Sequence, residues 1–118
     1  MKTVVIGAST NPARYAFLAA NRLLQHGHEV ELVGKEQGEV AGIPIQTGQP
    51  ALKNIDTITL YLNPVRQQPV YDYLLSLHPR RIIFNPGTEN PELARLAEAQ
   101  GIETTEACTL VLLATGQY

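Results

Sequence analysis

Five short apolar runs, each leading into a small or polar turn and then a helix signal, constrain this chain more than any other feature. The runs cover residues 2–6, 29–33, 56–62, 81–84 and 102–105. Helix signals separate them. Asn11 reads as the N-cap of a helix with Pro12 in first position, running to about His26 and stopped by Gly27. A second helix opens at Asn63-Pro64 and reaches about Leu77, with Pro69 awkward in its early turns. A third starts at Asn90-Pro91 and stops at Gly101, and residues 109–113 read as a terminal helix. Residues 40–45, which carry Gly42 and Pro44, read as a minor extended piece, and a short helical stretch is expected after Gln49-Pro50. Strand-helix alternation with short connections predicts an α/β protein: a doubly wound parallel sheet of about five strands between two helical layers.

Length and charge narrow the function. One hundred and eighteen residues, 44% of them apolar, suffice for one domain, 1–118, with its own core. A net charge of −2, with only Arg80-Arg81 adjacent among the nine Lys and Arg, offers no basic patch for nucleic acid. No apolar run approaches the roughly 20 residues of a membrane span, and residues 1–4 enter a strand without a signal pattern. A single cysteine makes no internal disulfide and fits a reducing, cytoplasmic setting. His26, His28 and His78 lack partners at metal-ligand spacing and read as loop histidines.

In doubly wound sheets, ligands collect beyond the carboxyl ends of the strands, at the switch point. The loops falling there are 7–11, 34–38, 63–64, 85–89 and 107–108. In the first, a buried strand reaches a helix start through Gly7-Ala8-Ser9-Thr10-Asn11, an arrangement that seats an anion on free N–H groups. It departs from the Gly-x-Gly-x-x-Gly dinucleotide fingerprint, because Ser9 and Pro12 stand where glycines would be. Arg14 either swings back to a phosphate or lies in solvent. After the second strand, Lys35 precedes Glu36; a cation there suits a phosphorylated ribose, as in NADP or coenzyme A, or is a solvated loop lysine. No triad or carboxylate pair accompanies these loops.

The ordered set Gly7-Ala8-Ser9 with Asn11-Pro12 and Arg14-Tyr15, Gly42-Ile43-Pro44, Asp56-Thr57-Ile58, Asn63-Pro64, Ile83-Phe84-Asn85-Pro86-Gly87-Thr88-Glu89-Asn90, Gly101-Ile102-Glu103 and Ala107-Cys108-Thr109-Leu110 resembles the small stand-alone coenzyme A-binding domain proteins of bacteria. These are similar to the N-terminal domain of the succinyl-CoA synthetase α subunit, and the resemblance covers essentially the whole chain. It implies a Rossmann-like fold. It also implies a coenzyme A or acyl-CoA site in which Gly7, Ala8, Ser9 and Asn11 receive the phosphates. Lys35 then lies near the adenosine phosphate, and Asn63 and Pro64 along the pantetheine path. Asn85 and Pro86 belong to the next loop of the same cleft. The synthetases often have Asn-Pro-Lys after the second strand, where this chain has Val33-Gly34-Lys35. Their phosphorylated histidine lies in a later domain, so the resemblance does not carry ligase activity over.

Cys108, just after the fifth strand, is either a thiol facing the coenzyme's own thiol or a small buried apolar residue. The function expected is a non-catalytic coenzyme A module acting as carrier, sensor or partner subunit. Two alternatives stand beside it: an NADP-binding oxidoreductase or redox sensor, and an interaction domain with a vestigial cleft. For the last, residues 110–113 offer a homodimer or partner contact.

Overall fold

Strand β1 (Lys2–Ile6) is buried from its second residue onward, as a strand covered on both faces must be. A computed structural model describes residues 2–118. β1 pairs in parallel with β2 (Glu29–Val33) on one side and β5 (Thr57–Leu60) on the other. β6 (Arg81–Phe84) and β7 (Glu103–Glu106) extend the sheet beyond β5, both parallel. On the other flank, β4 (Ile43–Gln46) runs parallel to β2, and β3 (Gly38–Val40) closes the edge antiparallel to β4. The sheet therefore has seven strands, ordered β3-β4-β2-β1-β5-β6-β7. The expected α/β class and parallel winding hold, and the strand count rises by the β3–β4 hairpin. Pro44 precedes the rungs that β4 forms with β2, Leu32↔Ile45 and Val33↔Gln46, so its missing N–H costs that ladder nothing.

Helices cover both faces. α1 (Tyr15–Gln25) lies over Val5, Leu32 and Ile45, burying Ala16, Ala20 and Leu23; small alanines let it approach the sheet closely. α5 (Thr109–Ala114) shares that face through Leu113. The opposite face packs Val4, Ile6, Ile58, Leu60, Ile82 and Phe84 against Leu74 and Leu75 of α3 (Tyr71–Ser76) and Leu93 and Ala97 of α4 (Pro91–Glu98). Each such fully buried side chain contributes about 1.5–3 kcal/mol.

Three expected elements differ. The first helix starts at Tyr15, not Pro12, because Asn11 makes a local turn: its Oδ1 accepts from Ala13 N at 3.0 Å, and Arg14 N donates to Asn11 O at 3.0 Å. Arg14 is thus the N-cap residue, with no side-chain cap. The Asn63 helix is broken into α2 (Pro64–Gln67), a 3₁₀ turn (Gln68–Val70) and α3. Pro69 lies within that 3₁₀ turn, where its ring cannot continue the α-helical bonding. Residues 49–53 form a loop without helix, tied to α3 by the Tyr73 hydroxyl donating to Pro50 O at 2.6 Å. No helix among the described residues is long and apolar enough to cross a membrane.

Candidate functional site

β1 leads through α1 to β2 on one side of the sheet, while β5 leads through α2 and α3 to β6 on the other. The two connections diverge between β1 and β5, and there the loops leave a cleft of about 800 Å³ at the carboxyl edge. That volume lies within the roughly 300–1,000 Å³ of small-molecule and cofactor sites.

Glycine is what lets the loops meet. A Cβ on Gly34 would stand 2.4 Å from Ala8 O, and one on Gly38 2.5 Å from Thr10 Cγ2, so the loop after β2 lies directly on the loop after β1. Gly7, at φ +96°, turns the chain at the end of β1 with its α-carbon facing the Tyr61 backbone.

The turn's donors are distributed unevenly. Gly7 N and Ala8 N both donate to Val33 O at 2.9 Å, so these two N–H groups tie β1 to β2 and are spent. Asn11 N donates to Ser9 Oγ at 3.1 Å. The amides of Ser9, Thr10, Tyr15 and Ala16 have no acceptor among the described residues, and all four residues line the cleft. Two of these amides belong to the first turn of α1, where the helix dipole is positive. Arg14 lines the cleft beside them, Lys35 and Glu36 line its β2 side, and Arg66 its β5 side. The side chains of Arg14, Lys35 and Arg66 have no ion-pair partner among the described residues.

Of the residues singled out from sequence, Gly7, Ala8, Ser9, Arg14, Lys35, Asn63 and Pro86 line the cleft together. Asn11, Pro64, Asn85 and Cys108 do not. Asn11 is occupied in its own turn, and Pro64 starts α2, whose cap is Asn63 Oδ1 accepting from Arg66 N at 2.9 Å. Asn85 stands outside the lining because its side chain is engaged elsewhere. Its Nδ2 donates to Thr59 Oγ1 at 2.7 Å and Leu60 O at 2.8 Å, while its Oδ1 accepts from Thr109 N at 2.8 Å, so the side chain is consumed in fixing α5 to β5. Cys108 is the half-buried N-cap residue of α5, set away from the cleft lining. Arg66 and Tyr61 also line the cleft, as do Thr10 and Thr88 of the loops expected there. Arg66 sits three residues after Asn63, one helical turn into a capped helix, and that spacing was the available signal.

Tyr15, Tyr61 and Tyr73 line the cleft. Burial pushes the Tyr61 hydroxyl up to about 12, partly opposed by the neighbouring Thr59 and Thr109 hydroxyls. Burial also raises Tyr73, whose O–H is committed to Pro50 O. Neither is tuned to exchange protons near neutral pH. Among the described residues no cluster of His, Cys, Asp and Glu could hold a metal ion.

The cleft lies at the carboxyl edge and switch point of a doubly wound sheet, where such sheets take up ligands, and three cations without an ion-pair partner among the described residues line it. The chain belongs to the CoA binding domain family, whose model matches residues 1–114. That membership ties it to coenzyme A binding at the level of the family. Among solved structures, it is 50% identical to an uncharacterized protein with a TM-score of 0.97, covering 99% of this chain and 97% of that one. A conserved hypothetical protein from Pyrococcus furiosus is 28% identical, with a TM-score of 0.76 over 88% of this chain and 90% of its own. A Thermus thermophilus protein, 20% identical with a TM-score of 0.86 over 99% of this chain and 90% of its own, shares the fold. No curated protein matches.

Proposed function

We propose that the protein is a small non-catalytic module that binds coenzyme A or an acyl-CoA, serving as carrier, sensor or partner subunit. One observation carries the reading: Ser9, Thr10, Tyr15 and Ala16, whose amides have no acceptor among the described residues, line the cleft together with Arg14. A diphosphate fits such a wall, because it accepts several N–H bonds and is favoured by the helix dipole. Lys35 then meets the 3′-phosphate on the β2 side. The tail runs along Leu62 and Asn63 toward Thr88 on the β5–β6 side, where Val70 and Leu74 supply apolar wall. A non-catalytic role is supported by the titratable groups of the cleft: three tyrosines, of which Tyr61 is pushed up by burial and Tyr73 is committed to Pro50 O, three cations and the exposed Glu36.

Calorimetry tests it. Coenzyme A is expected to bind, its 3′-dephospho form about tenfold more weakly, since a hydrogen bond to a charged group contributes about 1.5–3 kcal/mol. No binding of either would remove the proposal. A second reading, NADP binding for redox chemistry or sensing, draws on Lys35 and Glu36 lining the cleft side by side, a cation for a 2′-phosphate and a carboxylate for ribose. It requires NADP to compete with coenzyme A at comparable affinity, and is excluded if it does not.

A further inference from the structure

Gln67 is the last residue of α2 and is wholly buried, an unusual place for a side-chain amide. All its reach is used. Nε2 donates one proton to Leu62 O and one to Thr88 O, both at 2.8 Å, and Oε1 accepts from Asn90 Nδ2 at 2.9 Å. Leu62 and Thr88 both line the cleft, on the loops that follow β5 and β6. The β5–β6 ladder ends at Leu60↔Phe84, and beyond that rung the loops separate. Gln67 is the side chain that spans the gap, and through Asn90, whose Oδ1 caps α4 at Leu93 N, it refers both loops to a helix. An apolar side chain of the same size would fill the space without setting any distance between two carbonyls. Buried polar networks that are fully satisfied hold one geometry.

We infer that Gln67 is a positioning residue that sets the separation of the Leu62 and Thr88 loops. It thereby controls how the cleft accepts the tail of the ligand while leaving the nucleotide end to the Ser9–Ala16 wall. This rests on the coenzyme A reading above. It acts through two backbone carbonyls, not by touching the ligand itself.

The test titrates the full chain and its Gln67→Met and Gln67→Glu variants with three probes: coenzyme A, 4′-phosphopantetheine and adenosine 3′,5′-bisphosphate. The variants are expected to lose about tenfold in affinity for the first two and less than about twofold for the bisphosphate. Equal losses for all three probes, the signature of general structural damage, would overturn the inference, as would no loss for any. Should both variants fail to fold, the wild-type chain decides. Its Gln67 side-chain amide protons are expected to shift in NMR spectra with phosphopantetheine and to stay fixed with the bisphosphate; the reverse, or no shift with either, overturns the inference. Wild-type protein that binds no coenzyme A overturns the functional reading and this inference together, whereas wild-type binding with unaltered variants overturns this inference alone.

Discussion

The two edges of the sheet differ in how some of their charges are held. At the amino edge, two ion-paired groups form within the chain, Lys2 with Glu31 and Arg80 with Asp56 and Glu103. Asp56 accepts from Arg80 Nε at 2.9 Å and Nη2 at 3.1 Å, Arg80 also lies 3.8 Å from Glu103, and Lys2 pairs with Glu31 at 3.5 Å. The buried Arg81 donates to Thr57 Oγ1 and to Tyr118 O, with its guanidinium carbon 4.6 Å from the Tyr118 ring centroid. At the carboxyl edge, Arg14, Lys35 and Arg66 have no ion-pair partner among the described residues, and the amides of four residues lining the cleft have no acceptor among them. The proposed ligand site lies at the edge where these cations line a cleft.

Removing the glycine contact that assembles the carboxyl edge should have the largest effect. Gly34→Ala places a carbon 2.4 Å from Ala8 O, forcing the loops after β1 and β2 apart. Thermal unfolding should show a loss of about 1–3 kcal/mol, as for other overpacked sites, and coenzyme A binding should disappear in calorimetry. An unchanged melting temperature with full affinity would break the account of how the cleft is built.

Next come the cations. Arg14→Ala should weaken coenzyme A about tenfold while moving stability by less than about 0.5 kcal/mol, as exposed substitutions do. Lys35→Ala should bring coenzyme A and its dephospho form to one affinity. A preference for coenzyme A that survives in Lys35→Ala places the 3′-phosphate elsewhere.

The amino edge should answer in stability alone, and modestly. Arg80 is half exposed, so Arg80→Gln should cost less than about 1 kcal/mol and leave affinity untouched. Its pH signature is sharper. The hydrogen bonds from Arg80 hold the Asp56 carboxyl below its ordinary 3.8, so the pair's contribution is full above that value and is lost as pH falls through the depressed one. In Arg80→Gln, acid unfolding followed by circular dichroism should begin at higher pH. Affinity falling with Arg80 would blur the distinction between the edges.

His28 should give the smallest effect. Burial, with His26 and Arg81 nearby, holds its pKa below the ordinary 6.5, opposed by Asp56. The unfolded chain takes up the proton more readily, so His28 contributes stability above about pH 6.5 that declines as pH falls toward the depressed value. His28→Gln should flatten the melting-temperature profile in that window; an unaltered slope would show that His28 does not report on this edge.

Much of this was legible from residue patterns, for a physical reason: buried parallel strands need apolar runs, and helix starts need caps. Asn63 and Asn90 do cap α2 and α4, accepting from Arg66 N and Leu93 N. The β3–β4 hairpin was legible only as a minor extended piece at 40–45, because Gly38, Gly42 and Pro44 carry the signals of loop and its place in the sheet depends on β4 pairing with β2. The turn after β1 reads as an anion seat, but which amides lack an acceptor depends on Val33 O taking those of Gly7 and Ala8, a contact made across 25 and more residues. Asn85 shows the same limit from the other side. Its position beside the cleft followed from topology, whereas its use in holding Thr59, Leu60 and Thr109 is a tertiary fact. Gln67 gave no sequence signal, since a glutamine late in a short helix ordinarily faces water.

The central claim is that the free amides of the first turn receive the ligand's diphosphate, and amide NMR tests it most directly. With coenzyme A added to the labelled protein, the Ser9, Thr10, Tyr15 and Ala16 signals should move together and furthest, while Gly7 and Ala8, already bonded to Val33 O, move less. Saturation by coenzyme A with those four signals unmoved, or with the largest shifts at the amino edge around Asp56 and Arg80, would contradict it.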